Sequence, residues 1–317
     1  MTVRALIVCA ALVSSVGAAA PAEMTFYQLP AGSYPHDVAP APDGTVWFSG
    51  QSQGFAGRFD PTTGQLEKIP LGRGAAPHGV IVGPDGNAWL TEGGQNAIAR
   101  VDAKTKAVKL FPLPSEFAGA NLNTAAFDKS GTVWFTGQSG VYGRVDPANG
   151  KVEAWKAPRG AGAYGITVTP AGDVWYASLA GDHIAKIDTA SGAATVIDSP
   201  RRGAGPRRIW SDSRGVLWVS FWHGGGIGRY DPATKSWTTY PMPQSKSGTY
   251  AVYVDDQDRV WATDWPANAI QRFDPKTESY ATFRSDRRGT SVRQLLGRPG
   301  ETWGGESGTD RLVAIRD

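Results

Sequence analysis

Cysteine is nearly absent from this 317-residue chain, and the one present, Cys9, sits in the N-terminal apolar stretch. With that stretch expected to be removed, a disulfide framework and thiol chemistry are both excluded. A domain of this length has enough core to do without staples. An excess of one charge is also lacking. The formal net charge is +3, and lysines and arginines are scattered along the chain, which gives no nucleic-acid footprint. The short basic runs Arg201-Arg202 and Arg287-Arg288 are expected to be solvated loops. Long apolar runs are missing too. The stretch Ala5 to Val13 is too short to span a bilayer. Arg4 precedes it, and small residues follow at Ala18-Ala19-Ala20 and Ala20-Pro21-Ala22. This pattern predicts a signal peptide over residues 1–22 and a periplasmic or secreted product.

What the chain does contain is 40 Gly, 22 Pro and 12 Trp. Such a composition, without a collagen period, predicts short strands and tight turns. Tryptophan recurs every 41 to 45 residues, at Trp47, Trp89, Trp134, Trp175, Trp218, Trp261 and Trp303. Most follow a turn such as Pro42-Asp43-Gly44 or Pro84-Asp85-Gly86. A second apolar run then ends in Asp, as in Gly57-Arg58-Phe59-Asp60, and another turn leads to a run ending in Pro, as in Thr239-Tyr240-Pro241. Each unit therefore holds four short strands, A to D, and a 40-to-45-residue period of four strands is a propeller blade. The expected fold is all-β: a seven-bladed β-propeller with four antiparallel strands per blade, as one domain over residues 23–317. The tryptophan on strand B should fill the space between blades. The last repeat stops after a C-like strand, and Thr25-Phe26-Tyr27-Gln28-Leu29-Pro30 has the look of a D strand. The N-terminal strand should thus complete the last blade. A ring closed in this way needs no partner, so a monomer is expected.

Propeller geometry brings the start of each A strand and the end of each B strand to one face near the axis. Eleven residues before the tryptophans stand His36, His78, Asn123, Tyr164, Arg207, Tyr250 and Val292, the last followed by Arg293. The ends of the B strands and the loops beyond supply Glu92, Asp264, Glu306, Trp222, His223 and Trp265. His183 falls at the start of a C strand, further out, where a hydrogen-bonding loop role is expected. The histidines suit proton transfer near neutral pH. Carboxylates at a rim suit a hard divalent cation, and tryptophans there suit an apolar or aromatic ligand. A plain reading also stands, in which these groups only solvate a water-filled channel.

The segment Pro77-His78-Gly79-Val80-Ile81-Val82-Gly83-Pro84-Asp85-Gly86-Asn87-Ala88-Trp89-Leu90-Thr91-Glu92, with Asn96-Ala97-Ile98-Ala99-Arg100, resembles the virginiamycin B lyase (streptogramin lyase) family. The resemblance runs through all the repeats. It implies a seven-bladed propeller that opens an ester bond by elimination, with Mg²⁺ and two histidines in Pro-His motifs on adjacent blades. Pro35-His36 and Pro77-His78 match those motifs, and Glu92 matches a metal-holding glutamate at the end of strand B. Ala76 stands where the family has a second glutamate, and the histidine pair lies in the first two blades rather than the last two. On this basis His78 is expected as the base and His36 as the residue that orients or polarises the substrate. Glu92, with Glu306 or Asp264, is expected to hold the metal. Tyr164, Arg207, Trp222, His223, Tyr250 and Trp265 are expected to bind substrate, an ester or lactone. The competing expectation is a non-catalytic propeller that binds a small molecule, glycan or protein at the same mouth.

Overall fold

The computed structural model describes residues 22–317. The expected leader, apart from Ala22, and Cys9 lie outside the described residues. Among the described residues there are seven sheets of four antiparallel strands each, and the only helices are short 3₁₀ turns at Gln51–Gln53 and Ser115–Phe117. None is long and apolar enough to cross a membrane. Blade 1 shows the plan, with strand A at Pro35–Pro40, B at Val46–Gly50, C at Phe55–Phe59 and D at Leu66–Pro70. The other A strands are Pro77–Val82, Leu122–Phe127, Ala163–Val168, Pro206–Ser211, Thr249–Val254 and Val292–Arg298, in blades 2 to 7. Each A strand touches the A strand of the next blade, which puts these strands around the axis.

Ring closure is as expected, with the strand shifted two residues toward the N-terminus from Thr25–Pro30. Glu23–Gln28 pairs antiparallel with Arg311–Arg316 and forms the outer strand of blade 7. Tyr27 stacks on Trp303 at 5.3 Å, so the closing strand also adds to the core. The periodic tryptophans are buried, and each joins the apolar cluster of the following blade: Trp47 that of blade 2, Trp89 that of blade 3, and Trp303 that of blade 1. Stacking blades through these indoles is what a sheet with two apolar faces requires.

One local irregularity shapes the mouth. At the start of every A strand the register slips, as between Pro35 and Val38 in blade 1 and between Pro206 and Ile209 in blade 5. Two residues there oppose one on strand B, which is a β-bulge. A strand-B hydroxyl fills the gap. Ser49 Oγ accepts from the Asp37 N–H and donates to the carbonyl of His78 on the next blade. Thr91 does the same between Gly79 and Asn123, and Ser220 between Arg208 and Tyr250. These hydroxyls satisfy backbone groups that the bulge removes from the ladder and tie blades 1, 2 and 5 to the blades that follow them, whereas blades 4 and 7 carry Ala177 and Gly305 at this position.

Candidate functional site at the channel mouth

The bulge sends two consecutive side chains toward the axis where a regular strand would send one. In blade 1 these are His36 and Asp37, and in blade 5 Arg207 and Arg208. His36 and His78, on neighbouring blades, are each about 5% exposed. Their rings lie 4.0 Å apart, centroid to centroid, and 55° from parallel. His36 Nδ1 is 2.8 Å from Asp37 Oδ1. Arg208 Nη2 donates to both Asp37 oxygens, at 3.0 and 2.9 Å, while Nη1 donates to Thr124 Oγ1 at 2.6 Å. Thr124 Oγ1 in turn donates to Asn123 Oδ1 at 2.8 Å, and Asn123 Nδ2 lies 3.2 Å from His78 Nε2.

Arg208 can only donate, and this fixes the direction of every proton along the network. On one side Asp37 accepts from Arg208 and from His36 Nδ1–H, which leaves the His36 Nε2 lone pair free. On the other side Thr124 accepts from Arg208, Asn123 accepts from Thr124, and the Asn123 amide donates to His78 Nε2. The His78 proton therefore sits on Nδ1, a buried atom with no acceptor among the described residues. Both rings are the Nδ1–H tautomer, yet one offers an acceptor and the other a donor.

Burial, which disfavours the charged ring, pulls both histidines below the ordinary imidazole value, His78 well below it. Burial alone would raise Asp37. The Arg208 guanidinium, the His36 hydrogen bond and the two imidazoles outweigh it and hold this carboxyl below the usual range.

A second network lies beside the first. Arg207 Nη2 donates to the Tyr164 hydroxyl at 2.7 Å, and Tyr164 and Tyr250 share a 2.6 Å hydrogen bond. The Arg207 guanidinium lies 3.6 Å from the Tyr250 ring centre and 4.7 Å from that of Trp222. Trp265 stacks on Tyr250 at 4.9 Å. Burial would raise Tyr250, but Arg207, Arg208 and the hydrogen bond from Tyr164 lower it. Burial, followed by the neighbouring Tyr250, pushes Tyr164 up. Of the remaining expected ligand-binding residues, Trp222 joins this aromatic group, 5.3 Å from Trp265, while His223 is exposed on the loop outside it.

The expected metal carboxylates are all buried, on separate blades. Glu92 Oε1 accepts from the backbone N–H of Ala76 and Gly94, and its Oε2 has no partner among the described residues. Burial raises its carboxyl, only partly offset by those N–H groups. Asp264 Oδ1 accepts from Ala267, leaving Oδ2 unpartnered. Glu306 is paired with Arg311 at 2.6 Å, leaving Oε1 unpartnered. Among the described residues, the group whose ligand atoms converge is instead His36, Asp37 and His78. His183 Nδ1 bonds the Gly181 carbonyl at 2.9 Å, the loop role expected of it.

Asp37, Thr124 and Arg208 were not among the sequence candidates. A regular period-2 strand turns the residue after His36 or Arg207 away from the axis, and only the bulge brings it back. The available signal was the polar doublet at the start of A, in His36-Asp37, Asn123-Thr124 and Arg207-Arg208.

Known structures share this architecture. A selenomethionine-substituted virginiamycin B lyase from Staphylococcus aureus superposes with a TM-score of 0.86 at 20% identity, over 94% of this chain and 100% of that one. A streptogramin B lyase gives 0.84 at 22% identity, over 93% and 97%. The extracellular domain of a hybrid two-component system from B. thetaiotaomicron gives 0.72 at 13% identity, over 92% of this chain and 41% of that one. At these identities the likeness is one of fold. No curated protein matches the sequence significantly. The profile of the virginiamycin B lyase family matches residues 72–316, well over half of the sequence. The chain belongs to the virginiamycin B lyase family.

Proposed function

We propose that this protein is a secreted, monomeric lyase of the streptogramin lyase type, acting on an ester or lactone bond at the channel mouth. The observation that carries this reading is the pair of buried, neutral imidazoles in contact across two blades, one presenting a lone pair and the other an N–H. Sequence resemblance assigns the base to His78. The hydrogen bonds favour the reverse allocation. His36 has its Nδ1–H held by an ionised carboxylate, the arrangement that orients an imidazole as a base. Its Nε2 would take a proton from the carbon next to the one bearing the ester oxygen. The electron pair forms a C=C bond, the C–O bond breaks, and the carboxylate leaves. His78 Nδ1–H would donate a hydrogen bond to an acyl oxygen, where charge develops. Arg207, Tyr164, Tyr250, Trp222 and Trp265 would hold the rest of the substrate, with His223 at the outer edge.

Mg²⁺ is proposed as the cofactor. It keeps several waters and is commonly held through one or two carboxylates. Glu92 fits such a role, because its buried Oε2 has no partner and its position on strand B pairs with Pro77, next to His78. Asp264 would be a further carboxylate with a free oxygen, and Glu306 is already neutralised by Arg311. When bound, a hard cation supplies Lewis acidity to a carbonyl.

A panel of esters and lactones tests the proposal. With a substrate the native protein cleaves, His78→Ala and His36→Ala should each lose turnover by about a hundredfold or more and keep binding. Absence of turnover on every ester would favour a binding propeller. That second reading draws on the shared fold of a two-component-system ectodomain and on the aromatic rim of the mouth.

A further inference from the structure

Next to His36 the mouth opens into a depression of about 420 Å³ between blades 1 and 7, lined by Tyr34, His36, Ser52, Arg293 and Ser307 among others, with no carboxylate in its wall. Arg293 Nε donates to Ser307 Oγ at 3.1 Å, and the terminal nitrogens of this guanidinium have no acceptor among the described residues. The group lies over Trp265, 5.1 Å from its ring centre. A planar fork with its position fixed and its outer N–H groups free is suited to a carboxylate. Tyr34, in the wall of the same depression, is an exposed aromatic at 50% relative exposure. Its backbone is held at φ 41° by a hydrogen bond to Asp310 Oδ1 of 2.7 Å, so this ring is positioned at an energetic cost.

The surrounding loops share the sign of Arg293. Arginines scattered in the sequence fall on this same face of the ring. The loops entering the A strands carry Arg73, Arg201, Arg202, Lys246, Arg287 and Arg288, and also Arg159, which is paired with Asp198, against Glu116 and Asp286. The turns on the opposite face are rich in aspartate, including Asp85, Asp128, Asp212, Asp255, Asp256 and Asp258. Two acids of the mouth's own loops are spent on backbone N–H groups: Asp182 on Gly203 and Gly205, and Asp310 on Gly32 and Tyr34. Asp37, the ionised acid at the axis, is occupied by Arg208. A field of this kind attracts anions and speeds their capture.

We propose, resting on the lyase reading of this mouth, that its substrate is a small organic acid ester, and that Arg293 grips the substrate carboxylate while Tyr34 packs against an apolar or aromatic part beside it. Arg293 is thereby a specificity residue.

Phenylacetate and its neutral isostere phenylacetamide serve as binding probes, titrated by calorimetry and by tryptophan fluorescence, since Trp265 lies under Arg293. Phenylacetate should bind about tenfold tighter than the amide. The preference should shrink to about twofold or less in Arg293→Gln, persist in part in Arg293→Lys, and remain in Lys129→Gln, which removes an exposed charge on the opposite face. Equal binding of the two probes, no detectable binding of either, or a preference that survives Arg293→Gln would overturn the proposal. Binding is read without turnover. A carboxylate preference with no ester cleaved would sink the lyase reading and leave the anion site standing, and cleavage without the preference would do the reverse.

Discussion

Asp37 and Arg208 are 171 residues apart in sequence and form a buried ion pair across the propeller axis, joining blade 1 to blade 5. Neither blade adjoins the other, so the pair acts as a strut through the centre of the ring. Removing one partner strands a buried charge, which typically costs about 3–5 kcal/mol. Asp37→Ala should therefore be destabilised by about that amount in urea unfolding. The double variant Asp37→Leu with Arg208→Met should lose less than either single change, because no charge is left unpaired. A double variant as unstable as the sum of the singles would contradict a coupled pair.

The same arginine sets the tautomers, and nitrogen-15 NMR of histidine-labelled protein can check this with only four histidines in the sequence. His36 and His78 should both show a protonated Nδ1 and an unprotonated Nε2 at neutral pH. Thr124→Val cuts the relay between Arg208 and Asn123 and leaves the ion pair intact. In that variant the His78 signals should shift toward the Nε2–H form while those of His36 stay in place. A His78 spectrum unmoved by Thr124→Val would show that the relay does not govern it.

Burial makes both imidazoles resist protonation, so the folded state binds fewer protons than the unfolded chain once the pH falls below the ordinary imidazole value of 6.5. The stability they permit is complete above that value and is lost progressively below it. The melting temperature should drop as the pH falls below 6.5, a range in which Asp37 stays ionised. His36→Asn combined with His78→Asn should reduce this dependence and leave the share of His183, which burial also lowers. An equal drop in the double variant would place its origin elsewhere.

Blade 4 departs from its neighbours in a way that invites repair. In blades 3, 5 and 6 an aspartate six residues before the tryptophan accepts the indole N–H: Asp128 from Trp134, Asp212 from Trp218, and Asp255 from Trp261. In blade 4 that position is Thr169, and the Trp175 N–H is buried without a partner among the described residues. Thr169→Asp should stabilise the protein by about 1 kcal/mol by supplying the acceptor. A loss of stability in chemical denaturation would count against this account of the turn.

The architecture was legible because each blade repeats one solution to one packing problem. Trp47 and its six counterparts must each be covered by the next sheet, and that need leaves a period no loop insertion erases. Closure was legible for a related reason, since the last repeat lacked a strand that Glu23–Gln28 could supply. Half of the mouth was legible as well. His36, His78, Tyr164, Arg207 and Tyr250 do meet at the axis, because the start of strand A is set by counting back from the tryptophan. Asp37 and Arg208 were hidden because a bulge breaks the alternation on which such counting relies, and their partnership across the ring leaves no local trace. Glu92 illustrates a different limit. Its place at the end of strand B was correctly located, but position alone does not reveal that one of its oxygens is held by the Ala76 and Gly94 backbone.

The most direct test is the mass of the product formed from a cleaved ester in ¹⁸O-labelled water. Elimination by the proposed His36–His78 pair would yield an unsaturated fragment and a carboxylic acid that carry no solvent oxygen, and His36→Ala should lower the yield of both by about a hundredfold or more. Solvent oxygen in the acid, or an undiminished yield from His36→Ala, would show that the axial imidazoles are not the reacting centre of a lyase.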